Sequence, residues 1–433
     1  MTGGDGVTLP LAGVRVIDLS TALAGPLTSQ LLGDLGADVV KVEAPGGDGY
    51  RGRLYVETDA TEGANPRFDC ANRNKRSLVV DAKSADGFEV VERLIRWTDV
   101  LVENMRPGVP ERLGFGVDRC HELNPRLIFA SLTGWGETGP WARRSGADIW
   151  AQALGGTVAV QGSPGEPPLL GGTAFVDHGA PLALAFGITV ALLQRERTGR
   201  GCEVNTSLLE TALYMQSSSS FTDYLNGGEL VVKGGRGWSA GFPMGAYPAA
   251  DGDLVTMMVS DEQWDTFLRV LGLEALRGLE AYDTQEKRVA ARHELYPLLD
   301  EAFRKRTRAE WAEAFAATGL IRADPALRYD EVVTHPQVEA TGSVITTPHP
   351  VLGLSMAVAG PVVVDGVRSD VRLGPPSLGQ HTRDVLAELG YTPSDIDGLL
   401  ASGAAREDQM AGPADRAARE AYALRLAGAD GDD

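Results

Sequence analysis

Short apolar runs alternate with amphipathic stretches over the first third of the chain. GVRVIDLS, ADVVKVE, SLVVDA, DVLVEN and RLIFASL are rich in Val, Leu and Ile, as strands buried on both faces of a sheet are. Between them, TSQLLGDLG predicts a helix ending at Gly36, and ADGFEVVERLIRW spaces its apolar residues along one helical face. Strand and helix in alternation predict a parallel sheet with helices on its faces, a Rossmann-like α/β fold. The first strand is followed by AGPLTSQLLG and not by G-x-G-x-x-G, which weighs against a dinucleotide site and a nucleotide-linked oxidoreductase.

Beyond Ser145 the pattern becomes helical around Asp177, passes through the strand CEVNTSL and enters a helix over LLETALYMQSSSSF. LNGGELVVKGGR, from Leu225 to Arg236, reads as a glycine-rich linker or mobile loop. AGFPMGAYPAADGDLVTMMV then predicts a β-meander, and EQWDTFLRVLG and RAEWAEAFAATG predict helices. After His335, VLGLSMAVAGPVVV returns to strands and HTRDVLAELG to a helix. The expected organisation is a large domain from both chain ends, residues 1–224 and 335–403, with a smaller α+β domain over 225–334. Residues 404–433 form a polar tail with room for one helix after Pro413.

At 433 residues the chain can bury a substantial core. Its formal charge of −19 argues against a nucleic-acid or anionic-membrane partner, so an anionic ligand would need basic residues gathered locally. Arg51, Arg53, Arg67, Arg73, Lys75 and Arg76 are such a gathering. Cys70, Cys120 and Cys202 are too few and too far apart for a disulfide framework or a thiolate metal site, and the six histidines do not cluster. No metal is expected. MTGGDGVTLPLAG lacks a basic, then apolar, export signal, which points to the cytoplasm. Pro181–Leu193, the longest apolar stretch, is too short to span a bilayer and reads as a buried helix.

Asp177 sits at the mouth of that helix. Pro181 suits a first helical turn, Arg195, Arg197 and Arg200 crowd the last, and Gly199 or Gly201 can end it. An aspartate there is either an ordinary N-cap or, where backbone N–H groups converge, a carboxylate kept ionised and aimed as a nucleophile.

Several segments together resemble the class III CoA-transferases, the family of formyl-CoA transferase and the carnitine CoA-transferases. They are LAGVRVIDLSTALAGPLTSQLLGDLGADVVKVEAP, NRNKRSLVVDAKSADG, DVLVENMRPGVPERLGFG, NPRLIFASLTGWGETGP, the Asp177 helix with ERTGRGCEVNTSLLETAL, HPQVEATG and LGQHTRDVLAELGY. The resemblance implies an interlocked homodimer acting on an acyl-CoA and a carboxylic acid, with coenzyme A as substrate and no permanently bound cofactor. It implies that Asp177 is the nucleophile, through a mixed anhydride and an aspartyl-CoA thioester. It also places Lys83, Arg112 and the Asn104–Met105–Arg106 turn along the CoA path and Leu23 and Ala24 near the pantetheine, and adds Ala147 and Asp148 to the CoA-binding residues. Gly234–Gly237 stands where relatives carry a glycine-rich loop over the intermediate; it reads equally as a linker.

The alternatives are an acyl-CoA racemase or isomerase of the same fold and a non-catalytic acyl-CoA binder. The racemase motif has His where this chain has Ala147, which can be neither acid nor base. His178 reads as a loop histidine. Formyl-transferring members have Gln and Trp where this chain has Leu23 and Arg53, which argues against formate and oxalate; Arg53 could hold the second carboxylate of a dicarboxylic acid.

Overall fold

The computed structural model describes residues 9–52, 65–217, 220–228, 233, 235–237, 241–350, 352–368 and 371–407. Arg53, Gly234 and the segment after Pro413 lie outside them. The described residues form two compact units, one within 1–151, 173–214 and 341–433, the other within 152–172 and 215–340.

The predicted strands of the first unit are present: β1 (Arg15–Asp18), β2 (Asp38–Glu43), β3 (Lys75–Val80), β4 (Val100–Glu103), β5 (Ile128–Thr133) and β6 (Glu203–Ser207). They lie side by side in the order β3-β2-β1-β4-β5-β6, all parallel, and Ala405–Arg406 adds an antiparallel edge strand to β3. Alternate strand residues face opposite layers. Val16, Val39, Val100 and Val102 pack with Ala180, Leu184 and Ile188 of one helix. Ile17, Val40, Leu78 and Leu101 pack with Val90, Leu94 and Ile95 of Ala85–Trp97. Each such side chain, fully withdrawn from water, contributes about 1.5–3 kcal/mol, which is why two-sided apolar strands end up in the middle of the layers.

The Asp177 helix spans Phe175–Thr198 and ends at Gly199, whose φ of 72° suits a residue without a Cβ. It departs from the sequence reading in two ways. It begins at Phe175, so Pro181 is an interior residue rather than part of the first turn. It is also only partly buried: Leu182, Phe186, Val190 and Leu193 are exposed along one face. Of the helix predicted over LLETALYMQSSSSF, Leu208–Tyr214 is helical, and a second short helix runs over Ser220–Leu225.

In the second unit, β7 (Gly245–Ala249) and β8 (Gly252–Thr256) form the expected hairpin, and β9 (Ala323–Pro325) joins it as a third antiparallel strand. The helices Asp261–Leu271, Arg292–Phe303 and Arg308–Ala316 supply Phe267, Phe303, Trp311 and Phe315 to its aromatic core.

Candidate active site

The order β3-β2-β1-β4-β5-β6 reverses direction between β1 and β4. Connections leave those neighbours toward opposite sides, which opens a crevice beyond the carboxyl ends of the strands. A pocket of about 250 Å³ occupies that place, lined among others by Thr21, Lys41, Asp48, Lys83, Met105 and Phe115.

Its floor is charged and buried. The Lys75 ammonium lies 2.8 Å from Asp18, and Lys41 lies 4.0 Å from Asp18 and 3.0 Å from Asp48, with all four side chains essentially inaccessible. Ser29 Oγ donates to Asp18 as well. Burial alone would raise the Asp18 pKa; Lys75 and Lys41 overrule it and hold the carboxyl well below the usual range. Three more members of the basic gathering also serve the fold: Arg73 pairs with Asp34, Arg76 with Asp38 and Glu388, and Arg51 with Glu43.

This network fixes the segment after β1. Lys41 Nζ donates to the Ser20 carbonyl at 2.9 Å, and Ala22 N donates to Asp48 at 3.2 Å. Thr21 both donates to and accepts from the Asn104 amide, at 2.9 and 2.8 Å. Ala22 is thereby held at φ 67°, a left-handed conformation that a residue with a Cβ rarely adopts. Leu23 then stands at the N-cap position of the Ala24–Asp34 helix without a side-chain cap, and Ala24 is the buried first residue of that helix. Met105 N donates to Glu103, a buried carboxyl whose pKa burial pushes up to about 7, with Glu137 and Glu111 adding to the effect.

A second group surrounds Asp177. The helix Asp148–Leu154 starts directly after Ala147, whose carbonyl accepts from Trp150 N and Ala151 N. One oxygen of Asp148, Oδ2, accepts from Val176 N at 2.9 Å and from Asp177 N at 3.0 Å. Ala174, the residue at the N-cap of the Asp177 helix, supplies no side-chain cap, so Asp148 provides it from a distant part of the chain. That is why the helix can begin ahead of Pro181. Pro181 in turn has no amide hydrogen to give the Asp177 carbonyl four residues before it. Asp177 itself is half-buried, and no lysine or arginine among the described residues pairs with it. Burial, and then Asp148, raise its pKa to about 6, with His178 opposing. His178 belongs to the helix rather than to a loop, is exposed, and its Nδ1 lies 2.7 Å from the Ala174 carbonyl.

Of the residues expected at the site, Lys83 and Met105 line the pocket, Asn104 holds its Thr21 rim, and Asp148 joins Asp177. Arg106 and Arg112 are exposed and line neither group. Sequence reasoning missed Asp18, Lys41 and Asp48. The available signal was a lysine inside the apolar strand VVKVE, which has to find a buried partner.

Residues 11–382 match CoA-transferase family III. The chain belongs to that family. It is 35% identical to a mouse succinyl-CoA:glutarate CoA-transferase, over 91% of this chain and 90% of the relative. It is 34% identical to a formyl-CoA:oxalate CoA-transferase of Streptomyces coelicolor, over 91% and 98%. The crystal structure of a CaiB/BaiF family protein from Brucella suis superimposes with a TM-score of 0.79 at 30% identity, covering 88% of this chain and all of that one. As a family III CoA-transferase the protein moves coenzyme A between carboxylic acids, and its substrates are CoA thioesters.

In this CoA-transferase the glycine-rich 235–237 segment is tied down: Arg236 pairs with Asp300 and stacks over Tyr247 and Tyr296.

Proposed function

We propose that the protein is an acyl-CoA:carboxylate CoA-transferase that works by covalent relay on Asp177. The observation that carries this reading is the setting of that carboxyl. It is half-buried, it has a like charge beside it, and its pKa is raised to about 6, so it is ionised at neutral pH yet more basic than a solvated aspartate.

The ionised Asp177 attacks the thioester carbonyl of the donor and expels CoA thiolate, leaving an acyl-aspartyl anhydride. The thiolate attacks the aspartyl carbonyl of that anhydride and expels the donor carboxylate, giving an aspartyl-CoA thioester. The acceptor carboxylate attacks this thioester, re-forms an anhydride and frees CoA thiolate again. Thiolate attack on the acyl carbonyl releases the new acyl-CoA and regenerates Asp177. Overall one thioester replaces another of similar energy, with the anhydrides as higher-energy intermediates between them, so no ATP is consumed and no net proton moves.

The pocket at the switch point suits the nucleotide end of CoA, with Met105 and Phe115 as apolar walls for a base and Lys83 at the mouth for a phosphate. We place the pantetheine along the braced Thr21–Ala24 segment. Asp177 lies outside the lining of that pocket, and the exposed apolar face of its helix supports completion of the site in a homodimer, interlocked as in the family. The named acids of the two relatives differ, glutarate in one and oxalate in the other; the missing Gln and Trp at Leu23 and Arg53 favour the longer dicarboxylate.

Intact-protein mass spectrometry tests the relay. Wild type and Asp177→Ala are incubated briefly with acetyl-, succinyl-, branched and aromatic acyl-CoAs, with and without hydroxylamine. A CoA-sized, hydroxylamine-labile adduct on wild type alone is expected. CoA binding without any adduct would reject the relay in favour of a silent binder, and deuterium exchange at C2 of a branched acyl-CoA would favour an isomerase.

A further inference from the structure

Asp148 reaches Asp177 through an unusual piece of backbone. Gly134, just past β5, and Gly146 lie against each other so closely that a Cβ on either would overlap the other's Cα. Trp135 Nε1 donates to the Ser145 carbonyl at 3.1 Å, and Trp135 and Trp141 meet edge to face with centroids 5.2 Å apart. The chain between them is therefore pinched into a loop whose far end delivers Ala147 and Asp148 to the first turn of the Asp177 helix. Asp148 arrives almost completely buried.

Its bonding decides what Asp177 can do. A carboxylate in the first turn of a helix normally accepts backbone N–H bonds, which stabilise its charge and make it a weaker base and nucleophile. Here Asp148 Oδ2 already holds the amides of Val176 and Asp177. Pro181, inside the same helix, cannot donate to the carbonyl of Asp177.

We propose that Asp148 is a positioning residue for the nucleophile: it takes the first-turn amides, fixes the Asp177 backbone, and leaves the Asp177 carboxylate uncommitted for attack on the thioester. This rests on Asp177 being the nucleophile. Among the described residues the charged or titratable groups acting on Asp177 are Asp148 from the neighbouring helix and His178 from its own. The charge of Asp148 raises the proton affinity of Asp177, and His178 lowers it.

Two variants separate the roles of Asp148. Asp148→Asn keeps an oxygen for both amides and removes the charge. The acid limb of its kcat/KM profile is expected to move to lower pH, by up to about one unit, because Asp177 loses its like-charged neighbour. Asp148→Ala removes the cap as well, and kcat is expected to fall by about 10- to 100-fold while KM for acyl-CoA changes by less than about 3-fold.

Circular dichroism checks that each variant is folded; should the alanine variant unfold, the asparagine profile decides. An acid limb unmoved in Asp148→Asn, or a loss confined to KM in folded Asp148→Ala, overturns the proposal while the wild-type adduct stands. No adduct on wild type overturns the nucleophile assignment and this proposal with it.

Discussion

Asp18 and Asp177 are both withdrawn from water, yet their proton affinities move in opposite directions. Asp18, at the end of β1, faces two ammonium groups and the Ser20 and Ser29 hydroxyls, and it is held well below the ordinary carboxylate range. Asp177 has no lysine or arginine beside it among the described residues and Asp148 as a like-charged neighbour, and it rises to about 6 against the opposing effect of His178. Burial raises both; the sign of the partner decides the outcome. The satisfied carboxylate braces a pocket floor. The under-satisfied one keeps a raised basicity, which the proposed attack on a thioester would use.

Breaking the satisfied side has the larger effect. Asp18→Asn would leave Lys41 and Lys75 buried with too little negative charge, at a cost of about 3–5 kcal/mol. Urea unfolding at pH 7 measures it, and a loss below about 1 kcal/mol would show that the cluster is not ionised as described. A combined Asp18→Leu, Lys75→Met variant should recover part of the loss, because it removes a charge of each sign. The Asp18 contribution is fully present above its unfolded pKa, near 3.8, and is lost as pH falls below that value toward its depressed folded pKa.

The under-satisfied side should respond with the opposite sign. An acid whose folded pKa is raised binds more protons folded than unfolded between pH 3.8 and about 6, so stability falls as pH rises through that window. Asp177→Asn should therefore stabilise the folded protein at pH 7.5 by about 1–3 kcal/mol, with the gain shrinking to nothing near pH 4. Thermal unfolding across pH 4–8 tests this. A variant less stable than wild type at pH 7.5 would mean that Asp177 is a structural cap after all. In wild type, kcat/KM should fall below pH 6 as Asp177, the proposed nucleophile, is protonated.

The two halves of the comparison were not equally legible in the sequence. Strand existence and order within the βαβ units follow from runs such as VRVID and DVVKVE, because a strand covered on both faces has to be apolar throughout. Those same runs end in acids, Asp18, Glu43 and Glu103, and carry Lys41 inside them. Each was visible, but its partner was not. Asp18 meets Lys41 only because β1 and β2 pair in a register that sets them side by side. The Asp177 turn was harder still. Pro181 looks like a helix start when the true start is capped by Asp148 from another helix, and no local spacing encodes a cap supplied across a glycine-pinched loop. The exposed face of the same helix reads as core material, since its leucines and phenylalanine do not reveal what covers them.

Lys83 completes the comparison as a basic side chain out in the water. It is exposed at the mouth of the pocket, where water screens its charge and its flexible stem costs entropy to order. Its contribution to holding a CoA phosphate should accordingly be small: Lys83→Ala is expected to weaken CoA binding by about 3- to 10-fold at low salt, or about 1 kcal/mol. Calorimetric titration with CoA in dilute buffer, and again near 0.5 M salt, distinguishes this from a packing role. An electrostatic contact loses most of its advantage as the screening length shrinks, so the two proteins should converge at high salt. Equal affinities at both ionic strengths would remove Lys83 from the CoA path, and a gap that persists at high salt would mean that its aliphatic stem packs against the bound nucleotide.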